Sequence, residues 1–217
     1  YDRDDLFILK TTYGSLRNGL NIMKKSDIGK EEIKKYNIIQ KYIINLKLIN
    51  GYIFHIRLFI IIDCKKGIFL FNNGNINYNT NKFDKNNITF NTAVTHVANK
   101  NNLTHEFYKN NNLPSQLIQL EKIFGKNNYD KMWNNMINHF KMLFLKKNMC
   151  LEKINKDKKT KHLYGPDIIV LDDYSTRLCE INKFPATNIH FKPFQEVNKK
   201  ILNDYETENY EDFVKLQ

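Results

Sequence analysis

Short apolar runs separated by polar turns fill the first third of the chain, and this pattern is typical of β-strands. The runs predict five strands, at residues 6–10, 20–23, 37–43, 51–63 and 66–74. The turn "NNGN" ends the last run, and "INY" after it predicts a short returning strand. Between the second and third runs, Ser26 predicts the N-cap of a short helix, because the acidic residues that follow it suit a helix start.

The hydrophobic spacing becomes helical in the second half of the chain. Residues 79–112 are Asn-rich and weakly periodic, which predicts an irregular connection with a short helix near "THEFYKN". Two helices are predicted next. The second covers residues 127–149 and has apolar side chains at i, i+3 and i+4, which indicates a core face and not a cofactor site: Tyr129, Met132, Trp133, Met136, Ile137, Phe140, Leu143 and Phe144.

The last part of the chain combines a hairpin with helices. Residues 152–161 predict a charged, solvated loop, and residues 163–182 predict a strand, a turn and a second strand. Residues 191–202 and 205–216 predict closing helices. Strands followed by helices and a final hairpin predict an α+β fold with antiparallel pairing.

Composition indicates a globular protein with acidic partners. The chain has 217 residues, 41% hydrophobic and 13% aromatic, and no run approaches the ~20 apolar residues of a membrane span. A net charge of +11 favours nucleic acid, a nucleotide, an anionic membrane or an acidic protein tail. The surplus is mostly Lys, and it resembles an AT-rich coding bias. Nucleic-acid binders rely more on Arg, and this chain has four arginines, Arg3, Arg17, Arg57 and Arg177.

The cysteines indicate a reducing compartment. Cys64, Cys150 and Cys179 are too few and too scattered for a disulfide framework or a zinc cluster, so we expect free thiols in a cytoplasmic protein. The chain begins with Tyr1, which leaves open that it is a piece of a longer protein.

The hairpin "LYGPDIIVLDDYSTRLCEIN" carries the candidate chemistry. Glu180 and Asn182 share one face of their strand because side chains alternate, and the turn brings Asp167 back against them. Two carboxylates and an amide oxygen suit Mg²⁺. Without a cation the carboxylates would repel, so neutralising one is expected to leave the apo fold intact or steadier. Spacing alone leaves an alternative open, in which Asp167 and Glu180 make ordinary salt bridges.

The stretch "YGPDIIV…RLCEINKFPA" resembles the final hairpin of the tubulin–tyrosine ligase-like family, a branch of the ATP-grasp superfamily. Upstream segments resemble other parts of the family in the same order: "FILK", "LRNGLNI", "IIQKYI", "NGYIFHIRLFIII" and "FLFNNGNINYNTNKF". The resemblance covers nearly the whole chain. It implies an ATP-grasp fold, with a small nucleotide-binding lobe at residues 1–43, a larger lobe at residues 44–217, and a cleft between them.

The resemblance also implies roles for residues in the small lobe. Lys10 corresponds to the lysine that contacts the ATP phosphates, and it is one of two expected catalytic residues. Gln40 and Lys41 would lie at the adenine, and the backbone near Tyr42 and Ile43 would make the hinge hydrogen bonds. Both lysines are therefore expected to reach one cleft.

In the larger lobe the resemblance implies a metal and phosphoryl-transfer site. Arg57, the second expected catalytic residue, would steady the γ-phosphate or the acyl-phosphate. Asp167, Glu180 and Asn182 would hold Mg²⁺, with Asn182 also near the nucleotide. The implied activity is an ATP-dependent ligase that adds a free amino acid to an acidic protein tail such as that of tubulin.

Three positions depart from the family pattern. The family lysine before Arg57 falls at Ile53, its aspartate at His55, and an arginine after the next turn at Asn77. His55 can hydrogen-bond a ribose hydroxyl or be an ordinary core histidine. These departures motivate a second hypothesis, a nucleotide-binding pseudoenzyme or interaction module without turnover. A third, a basic nucleic-acid binder, lacks interleaved Arg and aromatic motifs.

Overall fold

The computed structural model describes residues 6–11, 19–93, 104–145 and 161–216. These ranges hold eleven strands: β1 Leu6–Lys10, β2 Leu20–Lys24, β3 Ile38–Lys41, β4 Leu48–Ile49, β5 Tyr52–Arg57, β6 Ile60–Asp63, β7 Gly67–Phe71, β8 Asn75–Lys82, β9 Lys161–Val170, β10 Thr176–Lys183 and β11 Phe213–Lys215. They also hold six α-helices: α1 Lys30–Lys35, α2 Phe90–Ala93, α3 His105–Asn110, α4 Leu120–Phe124, α5 Lys126–Leu145 and α6 Gln195–Thr207. This arrangement confirms the predicted α+β class.

The strands form two antiparallel sheets. The small sheet has the order β2-β1-β3. The large sheet has the order β11-β7-β6-β9-β5-β4, with β10 paired to β9 and β8 paired to β5. Strand β9 therefore lies at the centre of the large sheet and has β5 and β6 along one edge and β10 along the other.

The large sheet is covered on both faces. On the back face, the predicted stripe of α5 packs on strand residues such as Ile56 and Ile168, and its residues Met132, Met136 and Phe140 are fully buried. On the front face lie two separate clusters. The small-sheet cluster contains Tyr42, Leu46, Ile53, Ala93 and Leu171. The α6 cluster contains Phe59, Ile61, Phe71, Val197 and Ile201.

The long run at 51–63 forms two strands and not one. β5 ends at Arg57 and β6 begins at Ile60, opposite the point where β9 contains Pro166. Proline has no backbone N–H, so the ladder lacks a donor there. The Leu58 N–H donates to the Pro166 carbonyl at 2.9 Å and holds the break in place.

Two helix predictions are wrong. The helix predicted from Ser26 begins at Lys30, because Gly29 is the N-cap and its N–H donates to the Glu32 carboxylate at 3.1 Å. The helix predicted at 205–216 does not form. α6 ends where Glu208 takes a left-handed conformation with φ of 56°, and β11 follows and pairs with β7.

Of the other predicted elements, some are confirmed and some lie partly outside the described residues. The helix near residues 104–110 is confirmed as α3, with the Thr104 side chain accepting from the Phe107 N–H. The predicted returning strand is the longer β8. The end of the 127–149 helix and the loop at 152–161 lie largely outside the described residues. Within the described part of the chain, no helix is long and apolar enough to cross a membrane.

Candidate functional site

A row of polar side chains crosses the front face of the large sheet between the two apolar clusters. Asn75 on β8 pairs with Arg57 on β5, Arg57 pairs with Asp167 on β9, and Asp167 pairs with Glu180 on β10. Directly paired residues share a face and have Cβ atoms about 5 Å apart. We call these four residues the polar row.

A β-bulge in β10 decides the composition of this row. Leu178 pairs with Ile168, but the next pair joins Glu180 to Asp167, so Cys179 is an extra residue. In an unbroken ladder Cys179 would oppose Asp167, and Glu180 would turn to the back face. The bulge therefore re-aims Glu180 and Asn182 to the front face, which is a common use of bulges near functional sites.

Arg57 and Asp167 form a bidentate ion pair at the centre of the row. Arg57 Nε and Nη2 donate to Asp167 Oδ1 and Oδ2 at 2.5 and 2.8 Å, and the two side chains are only 18% and 10% exposed. His55 Nε2 lies 3.7 Å from Asp167 Oδ1. Burial raises the pKa of the Asp167 carboxyl, but His55 and the Arg57 hydrogen bonds outweigh this effect and hold that pKa below its ordinary value.

This ion pair corrects one expectation. Asp167 carries no unbalanced charge in the apo protein, so neutralising it relieves no repulsion and instead leaves a buried Arg57 unpaired. The salt-bridge alternative therefore describes Asp167 correctly in the apo state. It does not describe Glu180, which is exposed and has an amide partner.

Glu180 and Asn182 complete an oxygen-rich group around Asp167. Asn182 Nδ2 donates to Glu180 Oε1 at 2.9 Å and lies 3.3 Å from Asp167 Oδ2. Amide oxygen and nitrogen are assigned from their partners, so a flip of this amide would present Oδ1 to the same point. Two carboxylates and one amide oxygen fit a hard cation that keeps several waters, as Mg²⁺ does. In the described residues no three His, Cys, Asp or Glu side chains cluster as a metal site, so the amide is needed to complete this set.

Gly165 explains the spacing of the "YGPD" stretch. A Cβ at this position would lie 2.9 Å from Arg57 Cδ and 2.5 Å from Pro185 Cβ. The missing side chain lets Arg57 extend over β9 to reach Asp167, with Pro185 packed beside it. The glycine two residues before the aspartate therefore makes the ion pair sterically possible.

Lys10 lies on the face of the small sheet that packs on the large sheet. Ile8 and Ile22 on the same sheet face pack in the small-sheet cluster, and the register places Lys10 and Gln40 on that face too. The surrounding protein desolvates the Cys179 thiol and raises its pKa to about 11, while the Lys10 charge acts in the opposite direction. The face of the small sheet that carries Lys10 therefore packs, through Ile8 and Ile22, on Ile169 and Leu171 of the hairpin.

Lys41 does not share that face. It pairs with Phe7, which is three residues from Lys10, so alternation directs its Cβ to the other side of the small sheet. The expectation that both lysines reach one cleft therefore gains no support from the register, which directs Lys10 and Lys41 to opposite faces of the small sheet. Gln40 and Lys41 are adjacent in one strand, so only one of them can face the large sheet.

The predicted hinge has one backbone group already bonded. The Tyr42 N–H donates to the Leu6 carbonyl at 2.8 Å, and the Tyr42 hydroxyl donates to the Ala93 carbonyl at 2.9 Å. Of the predicted hinge groups, the Tyr42 carbonyl and the Ile43 backbone would be the ones left for a nucleotide. Tyr42 itself packs in the small-sheet cluster, beside Leu46 and Ile53.

The three departures from the family pattern occupy defined places. Ile53 is 1% exposed and belongs to the small-sheet cluster. An isoleucine therefore packs in the apolar core where the family pattern has a charged lysine. His55 and Asn77 are paired across β5 and β8 beside the polar row, and both are buried. His55 contributes to the charge balance of Asp167, which sequence alone did not indicate.

Sequence reasoning also missed Asn75. Its side chain is buried and donates to Asn198 Oδ1 on α6 at 2.8 Å, which ties the polar row to that helix. The available signal was the sequence "NINYNTNK", in which every second residue is Asn, so that strand alternation places Asn75 and Asn77 on the same face of β8.

A family comparison covers this whole arrangement. The model of the tubulin-tyrosine ligase family matches residues 1–208, which include every residue of the polar row. A comparison with curated proteins found no match.

Proposed function

Because the chain belongs to the tubulin-tyrosine ligase family, whose members are ATP-dependent ligases that act on protein carboxylates, we propose that it uses ATP and Mg²⁺ to add a free amino acid to an acidic protein tail. Proteins of this family generally use both ATP and Mg²⁺. The acceptor, the amino acid and the use of Mg²⁺ by this chain are parts of the proposal.

The convergence of Arg57, Asp167, Glu180 and Asn182 on one face is the observation that carries the proposal. A purely structural hairpin has no need of a second carboxylate beside the Arg57–Asp167 pair. Glu180 lies next to that pair only because of the bulge, and Asn182 links both carboxylates. Lys10 supplies a cation from the opposite side of the cleft.

The reaction would proceed in two steps. The acceptor carboxylate attacks the γ-phosphorus of ATP, giving an acyl-phosphate and ADP, and the amine of the amino acid then displaces phosphate to form an amide. Bound Mg²⁺ would neutralise charge on the transferring phosphoryl group. Lys10 would hold the phosphates, and Arg57 would offer its remaining N–H donors to the anionic oxygens that develop charge.

The charge of the chain supports an acidic acceptor. The net charge of +11 attracts an anionic tail and raises its rate of encounter at low ionic strength. Because lysines carry most of this charge, the attraction is distributed and is expected to weaken as salt increases.

A second candidate is nucleotide binding without turnover. Ile53, His55 and Asn77 stand where the family pattern has a lysine, an aspartate and an arginine. The burial of Ile53 in an apolar cluster favours this candidate, because an isoleucine packed there cannot donate a hydrogen bond or supply a charge to a phosphate. Both candidates require the nucleotide site, and only turnover separates them.

Thermal melting with ATP, in the presence and absence of Mg²⁺, tests the shared site. At a ligand concentration of about 100 times the dissociation constant, binding should stabilise the fold by roughly 2.7 kcal/mol. Glu180→Gln should lose the Mg²⁺-dependent part. Asp172→Asn, which removes an exposed carboxylate from the turn of the same hairpin, should keep it.

Incorporation of labelled amino acids into acidic tail peptides then separates the two candidates. Mg²⁺-dependent stabilisation with ATP-dependent incorporation supports the ligase. Stabilisation without incorporation of any of the amino acids supports nucleotide binding alone. No stabilisation by ATP in either condition would refute both.

A further inference from the structure

A buried oxygen atom at the end of the polar row has no hydrogen-bond donor. Asn75 is 3% exposed, and its Oδ1 has no partner among the described residues. Buried polar atoms in folded proteins are nearly always hydrogen-bonded, so this atom calls for a physical account.

The identity of this atom as an acceptor is fixed by its neighbours. The Asn188 backbone carbonyl can only accept, so Asn198 must present its Nδ2 there, at 3.0 Å. Asn198 then presents Oδ1 to Asn75, and Asn75 must donate with its Nδ2, at 2.8 Å. A flip of either amide would break this chain of bonds. The free group of Asn75 is therefore an acceptor.

Arg57 is the donor placed to reach it. Arg57 is the direct cross-strand partner of Asn75, and both lie on the front face. The Arg57 side chain leans the other way, over Gly165, and binds both oxygens of Asp167. Arg57 therefore lies between two acceptors. It already binds the Asp167 carboxylate on β9, whereas Asn75 Oδ1 on β8 has no donor among the described residues.

We propose that Asn75 is a positioning residue that receives the Arg57 guanidinium when Asp167 serves as a cation ligand, an inference that rests on the proposed function. A guanidinium that binds both oxygens of Asp167 would lie beside a cation bound to the same carboxylate, and the two positive charges would repel each other. Rotation toward Asn75 Oδ1 keeps Arg57 on the front face with a hydrogen-bond partner. Arg57 then remains available to the reacting oxygens and does not leave for solvent.

The first test follows the Arg57 Nε–H signal by NMR in the apo protein. Because the chain has four arginines, the Arg57 signal is assigned as the Nε–H signal that disappears in the Arg57→Lys variant. Asn75→Asp offers Arg57 a charged acceptor and should draw the guanidinium away from Asp167. The chemical shift of the Arg57 Nε–H should then change in the same direction as it does when Mg²⁺ and ATP are added to the unaltered protein. Asn77→Asp is the matched control, because it adds the same charge on the same face of β8 but opposite His55. Equal signals in the two variants would overturn the proposal.

The second test measures Mg²⁺ affinity at saturating ATP, from melting temperatures across a Mg²⁺ titration. Asn75→Leu should weaken Mg²⁺ binding about tenfold, as expected for loss of one hydrogen bond to a charged group, and Asn77→Leu should change it by less than about twofold. Binding of ATP without Mg²⁺ should be alike in both variants. Equal Mg²⁺ affinities would also overturn the proposal.

The two tests separate the inference from the proposed function. If the unaltered protein shows no Mg²⁺-dependent stabilisation, the proposed function fails, and the apo NMR comparison of Asn75→Asp with Asn77→Asp still decides whether Asn75 can hold Arg57. If Asn75→Leu does not fold, the Asn75→Asp pair decides alone.

Discussion

Asp167→Asn should destabilise the apo protein, because it removes the charge that balances a buried arginine. Breaking a buried ion pair by removing one partner typically costs about 3–5 kcal/mol. Asparagine at this position keeps one acceptor for Arg57, so we expect a cost at or just below the lower limit of that range, about 2–3 kcal/mol. For a chain of 217 residues, each kcal/mol lowers the melting temperature by about 2–4 °C, which gives a loss of roughly 4–12 °C.

The loss should depend on pH in a defined direction. The pKa of Asp167 is lowered in the folded protein, so its carboxylate contributes stability that is present above its unfolded pKa near 3.8 and is lost as pH falls through the lower folded value. The difference between the unaltered protein and Asp167→Asn should therefore be constant above about pH 5 and shrink below about pH 4.

The measurement is urea unfolding at a series of pH values, with Glu180→Gln as the control. Glu180 pairs with Asp167 across β9 and β10 but is exposed, so its neutralisation should change stability by less than about 0.5 kcal/mol. An Asp167→Asn variant that unfolds at the same urea concentration as the unaltered protein at pH 7 would refute the assignment of a stabilising ion pair.

Three further outcomes follow from the site. Glu180→Gln should melt normally without ligand but lose Mg²⁺-dependent stabilisation by ATP, and a variant with full stabilisation would remove Glu180 from the cation site. Lys10→Ala should weaken ATP binding measured by calorimetry more than Lys41→Ala does, because only Lys10 shares the sheet face that meets the hairpin; equal losses would contradict the register argument. Gly165→Ala should cost about 1–3 kcal/mol in urea unfolding, because the new Cβ overlaps Pro185, and an unchanged midpoint would show that the site has more room than the structure gives.

Local patterns predicted most of the elements that surround the site. Apolar runs located β1, β5 and β7, and the helical stripe located α5, because both signals are repeated over several residues. Strand alternation alone predicted that Glu180 and Asn182 share a face, whereas the β-bulge that puts this face on the side of Asp167 could not be predicted from the sequence. The resemblance to a known family then assigned the same hairpin to a metal site.

Features that depend on distant contacts could not be predicted in this way. β11 is a strand because Phe213 and Val214 pair with β7, a partner more than 130 residues away, while their local sequence fits a helix equally well. The Arg57–Asp167 pair depends on β5 and β9 being neighbours. The Asn75 acceptor depends on α6 crossing β8, which no local pattern indicates.

The extra residue in β10 makes the site tolerant of a change in chain length at one point. A deletion of Cys179 would join Leu178 to Glu180, and the two would keep their partners Ile168 and Asp167 in an unbroken ladder, so Glu180 and Asn182 would still lie on the front face. A deletion of Ile181 would instead place Asn182 opposite Pro166 and turn it to the back face, away from Asp167. The site should therefore tolerate a gap at Cys179, whereas it cannot tolerate a gap between Glu180 and Asn182.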